Sequence, residues 1–144
     1  MRPLLDILAI DDNPMDILIM REALDGSRRT KLLHAASDGA EALAFLRRER
    51  PFENAPRPDL ILLDLNMPGM GGFEVLSKIK SDPALCSIPT VMLTSSDSEH
   101  DVERAYEERA NGYVQKPTDL DDFIAILGGI ETFWSGIATL PSPA

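Results

Sequence analysis

Three aspartates in this chain directly follow short apolar runs. Asp11 and Asp12 come after the run Ile7–Ile10, and Asp64 closes the run Leu60–Leu63. If both runs are buried parallel strands, the three carboxylates lie at one edge of a sheet, where open α/β folds keep their ligands. Because like charges so close together repel, the sequence predicts that a cation or a proton is held between them.

A hydroxyl and an ammonium group follow two further apolar runs. Residues 91–93 lead into Thr94, and residues 113–115 lead into Lys116 and Pro117. Each motif alone is weak evidence, since apolar runs often end in a polar residue. Four such motifs in this order and at these separations are far more specific.

This pattern resembles the receiver domain of two-component response regulators. It consists, in chain order, of the acidic pair, the single aspartate, the threonine and the lysine–proline pair. The resemblance extends from about Leu5 to about Leu127. It implies a signalling protein rather than a conventional enzyme. Such a protein takes a phosphoryl group from the phosphohistidine of a sensor kinase and then changes its binding partners.

The resemblance also implies a role for each acidic residue. Asp64 is the expected nucleophile and phosphorylation site, because a carboxylate can accept a phosphoryl group to form an acyl phosphate. The expected cofactor is Mg²⁺, with Mn²⁺ as a substitute, since hard cations prefer oxygen ligands. The metal ligands would be the side chains of Asp11, Asp12 and Asp64 and the main-chain carbonyl of Asn66.

Three residues on or directly after the last two strands complete the expected site. Lys116 would contact one phosphoryl oxygen as a point charge, and Thr94 would donate its hydroxyl to another, so both belong to the catalytic set. Tyr113 stands where the family carries an aromatic residue whose rotamer follows phosphorylation, so Thr94 and Tyr113 are the expected switch residues. Family members usually have a cis peptide bond before the proline, which suggests one between Lys116 and Pro117.

The rest of the chain is consistent with a sheet that positions these residues. Short continuous apolar runs are typical of parallel strands covered on both faces. Five βα units with right-handed crossovers predict an α/β, doubly wound, five-stranded parallel sheet of flavodoxin-like type, and the resemblance supplies the strand order 2-1-3-4-5. The strands are expected at about 5–10, 31–36, 59–64, 89–94 and 112–115, and the helices at about 14–25, 38–49, 71–80, 98–109 and 118–135.

Composition limits the possible partners. The chain has 144 residues, and its 14 lysines and arginines against 24 aspartates and glutamates give a formal net charge of -10. Nucleic acid and anionic membranes are therefore poor partners. No apolar run approaches the roughly 20 residues of a membrane span, and the amino terminus is no signal peptide, so we expect a cytoplasmic protein.

Length and the end of the chain predict its organisation. Residues 1–144 are expected to form a single receiver domain, because little sequence follows the fifth helix and no output domain is expected. The segment 49–58 lengthens the connection into the third strand, and the pair Phe133–Trp134 lies near the carboxyl end. Both features resemble the small response regulators paired with phytochrome-type histidine kinases.

Gly71–Gly72 stands where the family often has Asp-Gly, so the third helix lacks a capping carboxylate.

Residues 118–140 are expected to form an extended helix, or an arm bent at Gly128–Gly129, that makes a homodimer. The reason is that the segment carries more apolar residues than one helix needs to cover its own sheet. The alternative is that Phe133 and Trp134 fold back onto the protein's own core. One apolar stripe contains Leu120, Phe123, Leu127, Ile130, Trp134 and Ile137, and a second face contains Ile126, Phe133 and Leu140.

Two other functions are compatible with parts of this pattern. A phosphatase of the haloacid dehalogenase type also uses a strand-end aspartate with Mg²⁺, but it needs a second acid two residues later, where this chain has Asn66. A flavin- or nucleotide-binding module would need a phosphate cradle rich in glycine or threonine after the first strand. Asp11 and Asp12 stand there instead and would repel such a ligand.

Overall fold

One parallel sheet forms the centre of the protein. The computed structural model describes residues 4–25 and 27–141. Its strands are β1 (Leu5–Ile10), β2 (Thr30–Ala36), β3 (Leu60–Leu63), β4 (Thr90–Thr94) and β5 (Gly112–Gln115), in the order β2-β1-β3-β4-β5. All four strand pairs are parallel. The predicted α/β fold and its strand order are confirmed.

A helix follows each strand. The helices are α1 (Pro14–Leu24), α2 (Gly39–Leu46), α3 (Gly72–Ser81), α4 (Glu99–Glu107) and α5 (Leu120–Thr132), and a short π-helix (Phe133–Ile137) continues α5. Asn13 caps α1 by accepting hydrogen bonds from two backbone N–H groups, and Asp38, Ser98 and Asp119 each cap one of α2, α4 and α5. The helix α3 has no side-chain cap, as expected from Gly71. No helix in the described ranges has both the length and the apolar character needed to cross a membrane.

Alternate residues of the strands supply two cores, one on each face of the sheet. Leu8 and Ile10 of β1 belong to the core that α2, α3 and α4 cover, whereas Ile7 and Ala9 belong to the core under α1 and α5. All four residues of β3 are buried. Burial on both faces is the physical reason why the strands appear in the sequence as unbroken apolar runs.

The long connection before β3 begins earlier than expected, because the preceding helix is shorter than the predicted range of 38–49. The helix α2 ends at Leu46 rather than near residue 49, because Arg48 has a left-handed backbone with φ 54°. The following segment packs onto the protein, since Phe52 and Ala55 lie against the core. The ring centroid of Phe52 is 5.5 Å from that of Phe45. The insertion therefore covers one end of the core beside α2.

The carboxyl-terminal segment lies along the α1 face of the sheet. The helix α5 runs through Gly128 and Gly129, so at these residues the chain is helical and does not form the bent arm that was the alternative. Trp134 and Leu140 pack against the core under α1 and α5. Phe133, in contrast, remains 45% exposed. The fold-back alternative therefore holds for Trp134 but not for its neighbour.

A buried carboxylate fixes this segment to the rest of the fold. Glu131 is 9% exposed and accepts hydrogen bonds from the hydroxyls of Ser27 and Thr30. One residue further on, the hydroxyl of Thr132 accepts a hydrogen bond from Arg29 Nη1 at 2.8 Å. The end of α5 is thus anchored to the connection between α1 and β2, because a buried charge is stable only when it is hydrogen-bonded.

Candidate functional site

The carboxyl ends of β1 and β3 bring the three aspartates together. Ile10 pairs with Leu63 in the sheet, which places Asp11 beside Asp64. One oxygen from each of Asp11, Asp12 and Asp64 can be chosen so that all lie within 4.8 Å of one another. Asp11 and Asp64 are buried, and Asp12 is exposed. This spacing and donor type suit a hard divalent cation.

Local turns orient the two buried carboxylates. Asp11 Oδ1 accepts a hydrogen bond from the backbone N–H of Asn13 at 2.9 Å. Asp64 Oδ1 accepts a long one, 3.5 Å, from the backbone N–H of Asn66. Asn66 lies on the exposed loop that follows β3, two residues after Asp64. Each carboxylate is therefore fixed by the chain that leaves its own strand.

Lys116 enters this acidic cluster from the end of β5. Its Nζ donates hydrogen bonds to Asp11 Oδ2 at 2.5 Å and to Asp16 Oδ2 at 2.8 Å. The distance from Nζ to Asp64 Oδ2 is longer, 3.6 Å. The backbone N–H of Lys116 donates to the carbonyl of Thr94, which ties the lysine to the end of β4. The structure thus places the lysine among the acids that the sequence selected and adds one acid, Asp16.

Burial and hydrogen bonding shift the pKa values of Asp11 and Lys116. Burial raises the pKa of Asp11 to about 6, although its hydrogen bond from Lys116 acts in the opposite direction. Burial alone would lower the pKa of Lys116, but hydrogen bonds to Asp11 and Asp16 raise it instead. Lys116 is therefore a permanent cation. The unfavourable environment of the Asp11 carboxylate agrees with the expectation that a cation or a proton is held at this edge.

Thr94 provides a hydroxyl with no partner at the same edge of the sheet. Its side chain is fully buried, and Oγ1 makes no hydrogen bond within the described residues. Leaving a buried hydroxyl unsatisfied costs about 1–3 kcal/mol, so such a group calls for an explanation, for which a catalytic role or a bound water or ion are candidates. An anionic group beside Asp64 would accept this hydrogen bond. The orphaned hydroxyl, the ammonium group and the acidic cluster together fit an anion held with a divalent cation.

Tyr113 is bonded to the loop that follows Thr94. Its hydroxyl donates to the carbonyl of Ser96 at 2.8 Å, and its half-buried ring packs against the core. Burial raises the pKa of Tyr113, as do the charges of nearby acids, so the phenol is neutral. Ser96 Oγ in turn donates to Asp101 Oδ2 at 2.7 Å. The tyrosine therefore connects β5 to the start of α4.

Two residues of this site were missed by the reasoning from sequence. A Cβ on Gly72 would lie 2.3 Å from the carbonyl oxygen of Asp64 and 2.6 Å from Leu65 Cα, so only glycine allows α3 to start this close to the end of β3. The sequence interpretation considered only the lost cap. Asp16 was also passed over, although an acid in the first turn after Asp11 and Asp12 was a usable signal.

The expectation of a cis bond before Pro117 was wrong, because among the described residues the cis peptide precedes Pro51.

Comparison with known sequences identifies the family. The response regulator receiver domain matches residues 7–128 of this chain. The response regulator Rcp1 of Synechocystis is 43% identical over 136 residues, which cover 94% of this chain and 92% of that protein. The similarity therefore extends over nearly the full length of both proteins.

Comparison with solved structures leads to the same family. The phosphorylated cyanobacterial phytochrome response regulator RcpA superposes with a TM-score of 0.93 at 45% identity, over 97% of this chain and all of the other. The Mn²⁺-bound form of Rcp1 superposes with a TM-score of 0.89 at 43% identity, over 96% of this chain and 99% of the other. The chain belongs to the receiver domain family of response regulators and is homologous to the phytochrome response regulators.

Proposed function

We propose that this protein acts in a two-component phosphorelay by accepting a phosphoryl group on Asp64 from a phosphohistidine of a sensor kinase. The observation that carries the proposal is the unpaired, buried hydroxyl of Thr94 at the same sheet edge as Asp64 and the ammonium group of Lys116. These three side chains are suited to accept a phosphoryl group, to neutralise its charge and to donate a hydrogen bond to it.

The reaction uses the Asp64 carboxylate as nucleophile. One of its oxygens attacks phosphorus and forms a new O–P bond, while the P–N bond to the kinase histidine breaks. The imidazole leaves with the electron pair of that bond and takes up a proton. Lys116, whose Nζ is 3.6 Å from Asp64 Oδ2, is close enough to move onto a phosphoryl oxygen. Thr94 donates its hydroxyl to another oxygen.

The residues present fit a divalent cation, Mg²⁺ or the Mn²⁺ that the similar Rcp1 binds. When bound, such an ion neutralises the transferring phosphoryl oxygens. The side chains that would hold it are those of Asp11, Asp12 and Asp64, and the main-chain carbonyl of Asn66 would complete the protein ligands. Asp12 is the exposed member of the cluster and is therefore the acid most accessible to an ion arriving from solvent.

The switch that follows uses the bond between Tyr113 and the β4–α4 loop. If Thr94 turns towards a phosphoryl oxygen, the loop that starts at Thr94 moves with it. The Ser96 carbonyl that accepts from Tyr113 lies in this loop, two residues later. We therefore infer that Thr94 and Tyr113 move together and change the surface formed by α4 and β5.

The kinase partner that the relatives favour is a phytochrome-type histidine kinase. RcpA is a phytochrome response regulator, and it matches this chain over nearly its full length. We place this exchange in the cytoplasm, where kinases meet their ATP. The net charge of -10 argues against nucleic acid or an anionic membrane as the downstream partner.

We also propose a homodimer formed through the carboxyl-terminal segment. Large apolar side chains at both ends of this segment are exposed, and an exposed apolar surface commonly marks an interaction site. Their exposed fractions are 53% for Leu120, 43% for Ile124, 45% for Phe133 and 68% for Ile137. A second copy of the chain would cover part of this surface.

Neither alternative function is favoured. The haloacid dehalogenase type needs a second acid two residues after its nucleophile, and Asn66 occupies that position. A flavin or nucleotide module would place phosphate beside Asp11, where the structure has a cluster of acids. The family match over residues 7–128 is to neither class.

Phosphotransfer profiling tests the proposed function. The wild type and Asp64→Asn are each incubated with autophosphorylated histidine kinases, including phytochrome-type kinases, and phosphate incorporation is measured. Asp64→Asn keeps the shape of the side chain but removes the nucleophile, so label should fall to background, and chelation of divalent cations should silence the wild type. Asp59→Asn, which changes an acid at the other end of β3, is the matched control and should be labelled normally. Undiminished labelling of Asp64→Asn would refute the assignment.

A further inference from the structure

Asp16 makes a contact that the proposed reaction does not use. It is the third residue of α1, and the cap formed by Asn13 fixes the turn that carries it. Asp16 Oδ2 accepts a hydrogen bond from Lys116 Nζ at 2.8 Å. The carboxylate is 20% exposed and the lysine side chain 8% exposed, so water screens the pair only weakly.

At rest, Lys116 is hydrogen-bonded to acids other than the phosphoryl acceptor Asp64. An ammonium group has three donors, and Lys116 directs two of them to Asp11 and Asp16 at 2.5 and 2.8 Å. Its 3.6 Å separation from Asp64 Oδ2 exceeds the ordinary range of an N–H···O hydrogen bond. In the resting protein the ammonium group is therefore held by Asp11 at the end of β1 and by Asp16 on α1 rather than by the nucleophile.

We propose that Asp16 is a positioning residue for the phosphoryl-transfer reaction. At rest Asp16 holds Lys116 away from Asp64, and during the reaction a phosphoryl oxygen replaces Asp16 as the partner of Lys116. The inference rests on the proposed function and deepens it. A phosphoryl group on Asp64 brings a larger negative charge than the carboxylate alone, and charge attracts the ammonium more strongly at short range. Lys116 then exchanges one charge-assisted hydrogen bond for another, and α1 loses its link to β5.

The exchange has a kinetic consequence. The contact between Asp16 and Lys116 is made in the ground state and given up in the transition state, and such contacts slow a reaction. Asp16→Asn should therefore raise the initial rate of labelling at Asp64 by acetyl phosphate by about threefold to tenfold. In this reaction Asp64 attacks phosphorus, the P–O bond to the acetyl group breaks, and acetate leaves with the electron pair.

Nuclear magnetic resonance of the lysine ammonium group follows the exchange directly. In ¹⁵N,¹³C-labelled protein, a coupling through the hydrogen bond should connect Lys116 Nζ to the carboxyl carbon of Asp16. This coupling should be present in the resting wild type and absent from the adduct with beryllofluoride and Mg²⁺, in which beryllofluoride replaces the phosphoryl group. Persistence of the coupling in the adduct would overturn the proposal.

Two further variants separate contact from charge. Asp16→Glu keeps the charge and should bring the labelling rate back to within about twofold of the wild type. Glu22→Gln removes one negative charge from an exposed position of α1, and Glu22 is outside the set of acids paired with Lys116. It should leave the rate unchanged. An increase equal to that of Asp16→Asn would show that only the overall charge matters and would sink the idea.

The same experiment distinguishes failure of this inference from failure of the proposed function. If wild-type protein takes no label from acetyl phosphate with Mg²⁺, the proposed function fails, and Asp16 has no reaction to influence. If the wild type is labelled normally and Asp16→Asn is labelled at the same rate, the proposed function stands. In that case Asp16 is not a positioning residue.

Discussion

Thr94 carries a cost in the resting protein that its neighbour Thr90 does not. Both side chains are fully buried on β4. The hydroxyl of Thr90 donates to the carbonyl of Ile88 at 3.1 Å, whereas the hydroxyl of Thr94 has no partner within the described residues. The two threonines therefore provide an internal comparison of a satisfied and an unsatisfied buried hydroxyl.

We predict that Thr94→Val stabilises the protein while impairing the switch. Valine has the shape of threonine without the unsatisfied hydroxyl, so the free energy of unfolding should rise by about 1 kcal/mol. Thr90→Val should instead lower it by about 1 kcal/mol, since its lost hydrogen bond leaves a buried carbonyl with fewer donors. Urea denaturation measures both values. A loss of stability in Thr94→Val would show that the hydroxyl has a partner.

We also predict that Thr94→Val weakens the response of the loop after β4 to phosphorylation. Thr94→Val should still be labelled at Asp64, because the nucleophile and the acids are intact. Its amide exchange should change less than that of the wild type when beryllofluoride and Mg²⁺ are added, and the missing change should lie within residues 94–117. A full response in the variant would argue against Thr94 as a switch residue.

At the scale of elements, the junction of β3 and α3 decides where Asp64 stands. Gly71 and Gly72 are adjacent but face different surroundings. The nearest atom to a Cβ on Gly71 would be the carbonyl oxygen of Leu65 at 3.7 Å, an ordinary contact. A Cβ on Gly72 would meet backbone atoms of Asp64 and Leu65 at 2.3 and 2.6 Å, and backbone cannot turn aside as a side chain can.

We predict that Gly72→Ala is destabilising and that Gly71→Ala is not. Relief of the overlap requires α3 to move away from β3, and insertion of one extra carbon into a closely packed place typically costs about 1–3 kcal/mol. Gly72→Ala should also reduce labelling at Asp64, because the displaced backbone carries the nucleophile. Urea denaturation and the acetyl phosphate labelling rate are the measurements. Equal stability of the two variants would contradict the close approach.

At the scale of the whole molecule, the carboxyl-terminal segment divides its apolar residues between two uses. Phe123 and Leu127 are buried residues of α5, and Trp134 and Leu140 pack against the same core. Phe133 is instead 45% exposed and contacts Trp134 edge to face, with ring centroids 5.1 Å apart. The segment thus covers its own core and still has exposed apolar surface.

We predict that the full chain sediments as a dimer at micromolar concentration and that Phe133→Gln with Ile137→Gln sediments as a monomer. Burying these side chains against a second copy removes apolar area from water, and the polar replacements lose that gain. The matched control is Met15→Gln with Leu18→Gln, two α1 residues that are 61% and 50% exposed. This pair should leave the dimer intact. A monomeric wild type, phosphorylated or not, would rule out the homodimer.

The sheet and the identity of its principal polar residues could be predicted without coordinates. Each strand buried on both faces must be a short apolar run, and the chain must then turn at a polar residue, so Asp11, Asp64, Thr94 and Lys116 could be selected without coordinates. Their common edge follows from parallel strands alone. These inferences are local, because burial and strand length leave their mark on consecutive residues.

The partner that each polar group takes became known from the three-dimensional structure. Asp16 lies on α1 and Lys116 directly follows β5, and no pattern of spacing could show that they are 2.8 Å apart while Asp64 is further away. The need for glycine at position 72 likewise depends on the distance between two backbone segments. The packing of Trp134 against the core, while Phe133 is exposed, depends on the direction of a helix relative to the core. Packing fixes such distances, and packing depends on residues that are far apart in the chain.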